Sequence, residues 1–130
     1  MSGKFTGGCK CGAVRYEVSA EPKAYVICQC LDCQKFSGAG HIAMMIVPKD
    51  KVAISGETTT FEYTGGSGSP VRNVFCPTCG CPVYGGPVGS EYFMIRAGSL
   101  DDTGIFKPGM VVYSSSAAHW DHVDCKITRH

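Results

Sequence analysis

The sequence predicts a small, mainly β single domain with little helix. Apolar and polar residues alternate over short runs broken by Gly, Pro, Asp and Ser, the pattern of half-buried strands. Seventeen glycines among 130 residues, with only 18% charged residues, disfavour long solvated helices. Nine cysteines fall into tight groups, and a small chain uses such groups as cross-links. At 13.8 kDa the chain has the size of one domain. Residues 1–130 read as a single unit. The one flexible-looking stretch, Gly65-Gly66-Ser67-Gly68-Ser69-Pro70, is too short for a linker and suits a loop between strands.

Taken in order, Ala13–Ser19 places Val14, Tyr16 and Val18 on one face and Arg15, Glu17 and Ser19 on the other. Further strands are expected at Ala24–Cys28, His41–Val47, Val52–Ser55, Thr58–Tyr63, Val71–Phe75, Tyr92–Ala97 and Met110–Tyr113. Each is short, rich in β-branched and aromatic residues, and bounded by turn formers. Leu31–Ser37 is the one segment suited to a helical turn or two, with Gly38 as its stop. Met44 and Met45 lie within a strand pattern and read as core or pocket wall.

Twelve Lys and Arg against eleven Asp and Glu leave a formal charge of +1. A near-neutral chain with no basic, aromatic-interleaved stretch disfavours nucleic acid or an anionic membrane as partner. The longest apolar run, Ile42 to Val47, falls far short of the roughly 20 residues a bilayer span takes. MSGKFTGGCKCGAV at the start holds no apolar leader, so the expected compartment is the reducing cytoplasm, where thiols persist. An odd cysteine count cannot pair off within one chain. Disulfides and a thioredoxin-like redox pair are therefore disfavoured, and metal binding leads.

Cys9-x-Cys11 lies in a glycine-rich turn, and Cys76-Pro-Thr-Cys79-Gly80 has the form of a zinc knuckle. Two thiolates so spaced grip one tetrahedral ion while turn N–H groups stabilise their charge. Each pair supplies two ligands, so the two pairs together complete a closed four-cysteine site that staples distant segments. Cys28-x-Cys30-x-x-Cys33 differs, offering three sulfurs within six residues. Three protein ligands leave a fourth position for water or substrate, the usual pattern of catalytic zinc. Cys81, Cys125 and His41 are the candidates to close that site instead. Otherwise Cys125 reads as a free thiol and Cys81 as a small packing residue.

With these residues in view, the chain resembles the glutathione-dependent formaldehyde-activating enzyme family, which also includes centromere protein V. The resemblance is carried by GGCKCGAVRYE at 7–17, CQCLDCQKFSGAG at 28–40, FCPTCGCPVYGG at 75–86 and AGSLDD at 97–102, with Trp120 also fitting. It implies a zinc-stapled β-tent. It assigns Cys9, Cys11, Cys76 and Cys79 to a structural zinc and Cys28, Cys30 and Cys33 to a catalytic-type zinc, two Zn2+ per chain. It further implies an enzyme of carbon–sulfur lyase type that joins glutathione and formaldehyde as S-hydroxymethylglutathione, with a small-molecule thiol or aldehyde as partner. The chain departs from the family at Gln29, where His is frequent and a titrating group would stand. It is also shorter than the glutathione-active members. The rival reading is a non-catalytic zinc-binding module for a small molecule or protein partner.

Lys35 and Ser37 follow the three-cysteine group and match the family's segment, which makes them candidates to attract an anionic substrate and to donate to a substrate oxygen. A solvated Lys and a helix-terminal Ser are the competing readings. Asp101 and Asp102 are expected to satisfy turn N–H groups. His119, His122 and His130 read as a polar tail capped by a packed Trp120. Native mass spectrometry of the zinc-loaded chain is expected to count two ions per chain. A count of one would break the site assignment.

Overall fold

The computed structural model describes residues 4–123 and 128–130. Among them the strands are β1 (Lys4–Gly8), β2 (Arg15–Ser19), β3 (Ala24–Cys28), β4 (Ile42–Pro48), β5 (Val52–Ser55) and β6 (Thr59–Thr64). They continue with β7 (Pro70–Phe75), β8 (Pro82–Pro87), β9 (Tyr92–Arg96), β10 (Met110–Val112) and β11 (Thr128–Arg129). A single α-helix, α1 (Leu31–Ser37), stands between β3 and β4. The mainly β expectation holds, and each strand read from the sequence is present with its ends moved by at most two residues. Cys125 lies outside the described residues.

Two sheets form, one ordered β1-β2-β5 and one ordered β11-β10-β3-β4-β9-β8-β7-β6. The neighbours are antiparallel except for β10, which runs parallel to β3 and to β11. In β2 the alternation is as read, with Val14, Tyr16 and Val18 buried and Arg15, Glu17 and Ser19 exposed. That buried row meets Met45, Val47, Val74, Val83 and Ile95 of the large sheet in the main core. The opposite face of the large sheet carries a second cluster, Val26, Cys28, Ile42 and Met44, packed with Cys33 of α1. Met44 and Met45 therefore divide as expected into pocket wall and core. Pairing register aligns Met110, Val26, Met44 and Arg96 across four strands, on one face of the sheet.

Three strands, β1, β8 and the two-residue β11, were not expected from the sequence. β8 is Pro-Val-Tyr-Gly-Gly-Pro, a composition that local propensity assigns to a turn. Its prolines stand at the two ends, where a missing N–H costs little, and β7 and β9 pair with it on either side. A bulge between Val74 and Phe75 absorbs its start. α1 matches expectation, ending at Gly38 in the left-handed region with φ 67°.

One junction locks the loop 97–102 onto the small sheet. A Cβ at Gly7 would stand 2.3 Å from Tyr16 Oη and 2.4 Å from the Ser99 carbonyl, so glycine alone permits this approach. Ser99 Oγ donates to the Arg96 carbonyl at 2.7 Å. Its single hydrogen is thus committed, and Tyr16 Oη, 2.7 Å away, must donate to it. Asp101, expected to serve backbone N–H groups, instead takes the Arg15 guanidinium and the Thr6 hydroxyl, while Asp102 does accept from Gly104 N–H at 3.0 Å. Trp120, expected to pack, is 57% exposed.

Burial pushes the Tyr16 phenol up to about 12. Its stabilising effect is therefore complete below the ordinary phenol value and is lost as pH rises from 10 through about 12. Tyr16→Phe, which strands the Ser99 oxygen, is expected to cost about 1 kcal/mol near pH 8. In thermal melts its deficit should narrow between pH 10 and 12. A deficit constant across that window would contradict the buried neutral phenol.

Candidate metal centre

Two groups of sulfurs converge. Cys9 and Cys11 hang from the β1–β2 turn and Cys76 and Cys79 from the β7–β8 turn, and their four Sγ atoms lie within 4.8 Å of one another. Tetrahedral zinc with Zn–S bonds of about 2.3 Å requires sulfurs about 3.8 Å apart. Cys9–Cys11 and Cys11–Cys76 separations are 3.6 and 3.7 Å. Backbone N–H groups supply the charge support such a site needs: Val14 N–H points at Cys9 Sγ at 3.2 Å, and Thr78 and Cys79 N–H point at Cys76 Sγ at 3.3 and 3.5 Å. The Val14 contact is the chief cause that pulls the Cys9 thiol down to about 6. Gly80, at φ 76°, closes the knuckle in a conformation a side chain would strain. The residues fit a closed four-sulfur metal site.

Cys28 ends β3, Cys30 caps α1, and Cys33 lies one turn into the helix, so the strand-to-helix corner turns all three sulfurs together, again within 4.8 Å. Cys33 N–H points at Cys30 Sγ at 3.4 Å. The Cys33 thiol beside it draws Cys28 down to about 6, while that same proximity, aided by burial, pushes Cys33 far above the ordinary thiol range. One charge shared unequally among crowded sulfurs is what a cation would even out. The group fits a three-sulfur site with one side unfilled by the described residues.

That side faces a cavity of about 610 Å³, in the size range of small-molecule sites. Its floor is the second face of the large sheet, and the β6–β7 loop closes it at Gly65 and Gly66. None of the four-sulfur set lines it. Tyr113 sits on its rim in the left-handed region at φ 57°, the one non-glycine residue there among those described. Such strain in a bulky residue clusters at functional sites.

Behind the three-cysteine corner lies a polar brace. Gln34 Nε2 donates to the carbonyls of Gln29 and Ser116, both at 3.0 Å. Gln29 Nε2 donates to Asp121 at 2.9 Å, and the same carboxylate holds His41 Nδ1 at 2.9 Å. Gln29 is 1% exposed and its Oε1 has no partner among the described residues. A second, smaller cavity of about 260 Å³ takes His41, Cys81 and Ser37.

The sequence-derived candidates therefore separate. The seven clustered cysteines come together as the two groups read from spacing. Cys81 donates to the Pro82 carbonyl at 3.6 Å and His41 is spent on Asp121, so neither joins the three-sulfur group. Lys35 is exposed and absent from the large cavity. Ser37 accepts from Ala39 N–H at 3.0 Å at the helix end and lines only the smaller cavity. Arg96, Tyr63 and Asp121 were not singled out. Arg96 had a readable signal, as the one charge in the strand run Tyr-Phe-Met-Ile-Arg.

Residues 4–116 match the family model described as glutathione-dependent formaldehyde-activating enzyme. A Halomonas elongata protein whose name assigns it to the same family is 32% identical over 83 residues, an alignment that covers 60% of this chain and 53% of that relative. The chain thus spans about half the length of the curated relative it matches. A crystal structure of a Rhodobacter sphaeroides protein superimposes with a TM-score of 0.57 at 21% identity, covering 75% of this chain and 88% of that one. That likeness is one of fold.

Gln34→Ala removes two side-chain bonds to otherwise fixed carbonyls and is expected to cost about 1–3 kcal/mol in urea unfolding. Amide exchange should quicken around residues 114–121. Unchanged exchange there would show that the brace does not hold this segment.

Proposed function

The chain belongs to the glutathione-dependent formaldehyde-activating enzyme family, and we propose that it is a two-zinc enzyme of carbon–sulfur lyase type. It joins a small thiol to a small aldehyde, or releases them from their S-hydroxyalkyl adduct. The observation that carries this reading is the division of the sulfurs: three open onto the large cavity and four do not. Residues 1–130 act in this reading as one zinc-binding domain, with Cys9, Cys11, Cys76 and Cys79 structural and Cys28, Cys30 and Cys33 at the reacting centre. The eight described cysteines form no disulfide, and seven of them group as metal ligands would, which supports a cytoplasmic setting.

Cys28, Cys30 and Cys33 would hold the zinc, which when bound would favour the thiolate form of a substrate sulfur near neutral pH and act as a Lewis acid toward a carbonyl oxygen. The reaction is a balanced addition. The substrate S–H bond breaks, an S–C bond forms at the aldehyde carbon, and the proton ends on the former carbonyl oxygen, with no change of oxidation state. The chain's own part is to orient and to exclude water. Cys28 and Cys33 hold the corner rigid between strand and helix. Gln34 fixes the Gln29 carbonyl that lies between the first two ligands. Gln29 offers an amide where a titrating group would stand, so it orients and does not move protons. The apolar floor around Val26, Met44 and Met94 keeps water from the reacting atoms. Lys35 and Ser37 remain in the proposal only as groups on the last turn of α1, outside the cavity lining.

The test compares two variants of the zinc-loaded protein. Cys30→Ser is expected to keep its fold, lose one zinc, and lose its acceleration of thiol–formaldehyde adduct formation by about 100-fold or more. Cys76→Ser should unfold the domain. If the two-zinc protein does not outpace the spontaneous addition, the non-catalytic binding module is the surviving reading. Unfolding of Cys30→Ser would make the second site structural.

A further inference from the structure

The large cavity is lined mainly by apolar side chains, with Asp32, Tyr63, Ser67 and Ser116 among its polar groups and one part-buried cation. Its lining includes Val26, Ile46, Met94, Met110 and Val112, and Arg96 is its sole Lys, Arg or His. Arg96 stands in the row Met110, Val26, Met44, Arg96 on the cavity floor. The fold makes room for it: a Cβ at Gly85 would lie 2.8 Å from Arg96 Nη2 and 2.5 Å from the Arg72 carbonyl. Arg96 Nη2 donates to Asn73 Oδ1 at 3.1 Å and Nη1 to the Met94 carbonyl at 3.3 Å. Its Nε is enclosed and has no partner among the described residues. A guanidinium carries five N–H groups, so these two bonds leave one on each Nη uncommitted beside the enclosed Nε, and no carboxylate among the described residues pairs with it. Burial lowers its proton affinity, while the Cys33, Tyr63 and Cys28 groups that face it raise it. A part-buried cation without a carboxylate partner is costly, and a bound anion would relieve that cost.

Resting on the reading of this cavity as the substrate site, we propose that the thiol substrate has an apolar body and a single anionic group that docks on Arg96. Across sheet strands about 4.8 Å apart, with a two-residue offset along them, the Arg96 and Cys28 Cα atoms are about 12 Å apart. An extended chain of about six carbons, with bonds of about 1.5 Å, covers roughly 7 Å of that separation and leaves the rest to the two side chains. Glutathione carries two carboxylates against the single cation of this lining, which also holds the Asp32 carboxylate, so one of its carboxylates is left without a cation partner and lowers affinity. The recognised class is an ω-mercapto carboxylate or its aldehyde adduct.

Calorimetric titration of the zinc-loaded protein compares 6-mercaptohexanoate, 6-mercapto-1-hexanol and glutathione. A buried charge-assisted pair predicts that 6-mercaptohexanoate binds about tenfold or more tightly than either of the others. Arg96→Gln should bring it down to the level of 6-mercapto-1-hexanol. Should that variant misfold, the wild-type ordering alone decides. Equal binding of the acid and the alcohol, or tighter binding of glutathione, overturns the proposal. Adduct formation with formaldehyde is followed separately. The expected ordering without acceleration upholds the cavity assignment and overturns the enzyme reading. Acceleration with glutathione but not with 6-mercaptohexanoate does the reverse.

Discussion

Four sulfurs crowded within 4.8 Å are the constraint on which the rest of the molecule depends. Cys11 and Cys76 are 65 residues apart in the chain, and one belongs to a turn of the small sheet, the other to a turn of the large one. Thiolates so close repel unless a cation lies among them, and separations of 3.6 and 3.7 Å fall where tetrahedral metal–sulfur bonding puts them. The junction binds two sheets that share an apolar interface of valines, Tyr16, Met45 and Ile95. For a chain of this size a metal bond of such strength is comparable to the whole stability of the fold.

The large sheet then works on two faces. One is spent on the core and fixes the strand register. The other is freed to face a cavity, because α1 and the β6–β7 loop rise over it without filling it. The strand-to-helix corner at Cys28–Cys33 brings three sulfurs to that face with no contribution from the small sheet. In the proposed function, stability and chemistry thus fall to different turns. That separation is why a serine at Cys30 and a serine at Cys76 are expected to have different consequences.

Much of this was legible in the sequence, and the reasons are physical. Cysteine spacing is a local property, so both sulfur groups could be read directly, and period-2 alternation exposed β2 with its buried face. The left-handed stop at Gly38 was equally local. What escaped depended on distant neighbours. β8 carries turn composition and is a strand only because β7 and β9 flank it. Asp101 sits in a turn but meets Arg15 of another sheet. Lys35 and Ser37 are adjacent to the cysteines in sequence, yet the helix carries them away from the cavity. Arg96 is remote in sequence and enters the cavity through the register of four strands.

The central claim is that one metal site is closed by four sulfurs and the other holds three. Zinc-edge X-ray absorption of the two-zinc protein measures the mean sulfur count directly. The account predicts about three and a half sulfurs per zinc at rest, rising to about four when a thiol substrate is added. A count of four at rest, unchanged by thiol, would mean that the chain itself closes the second site, and it would contradict the account.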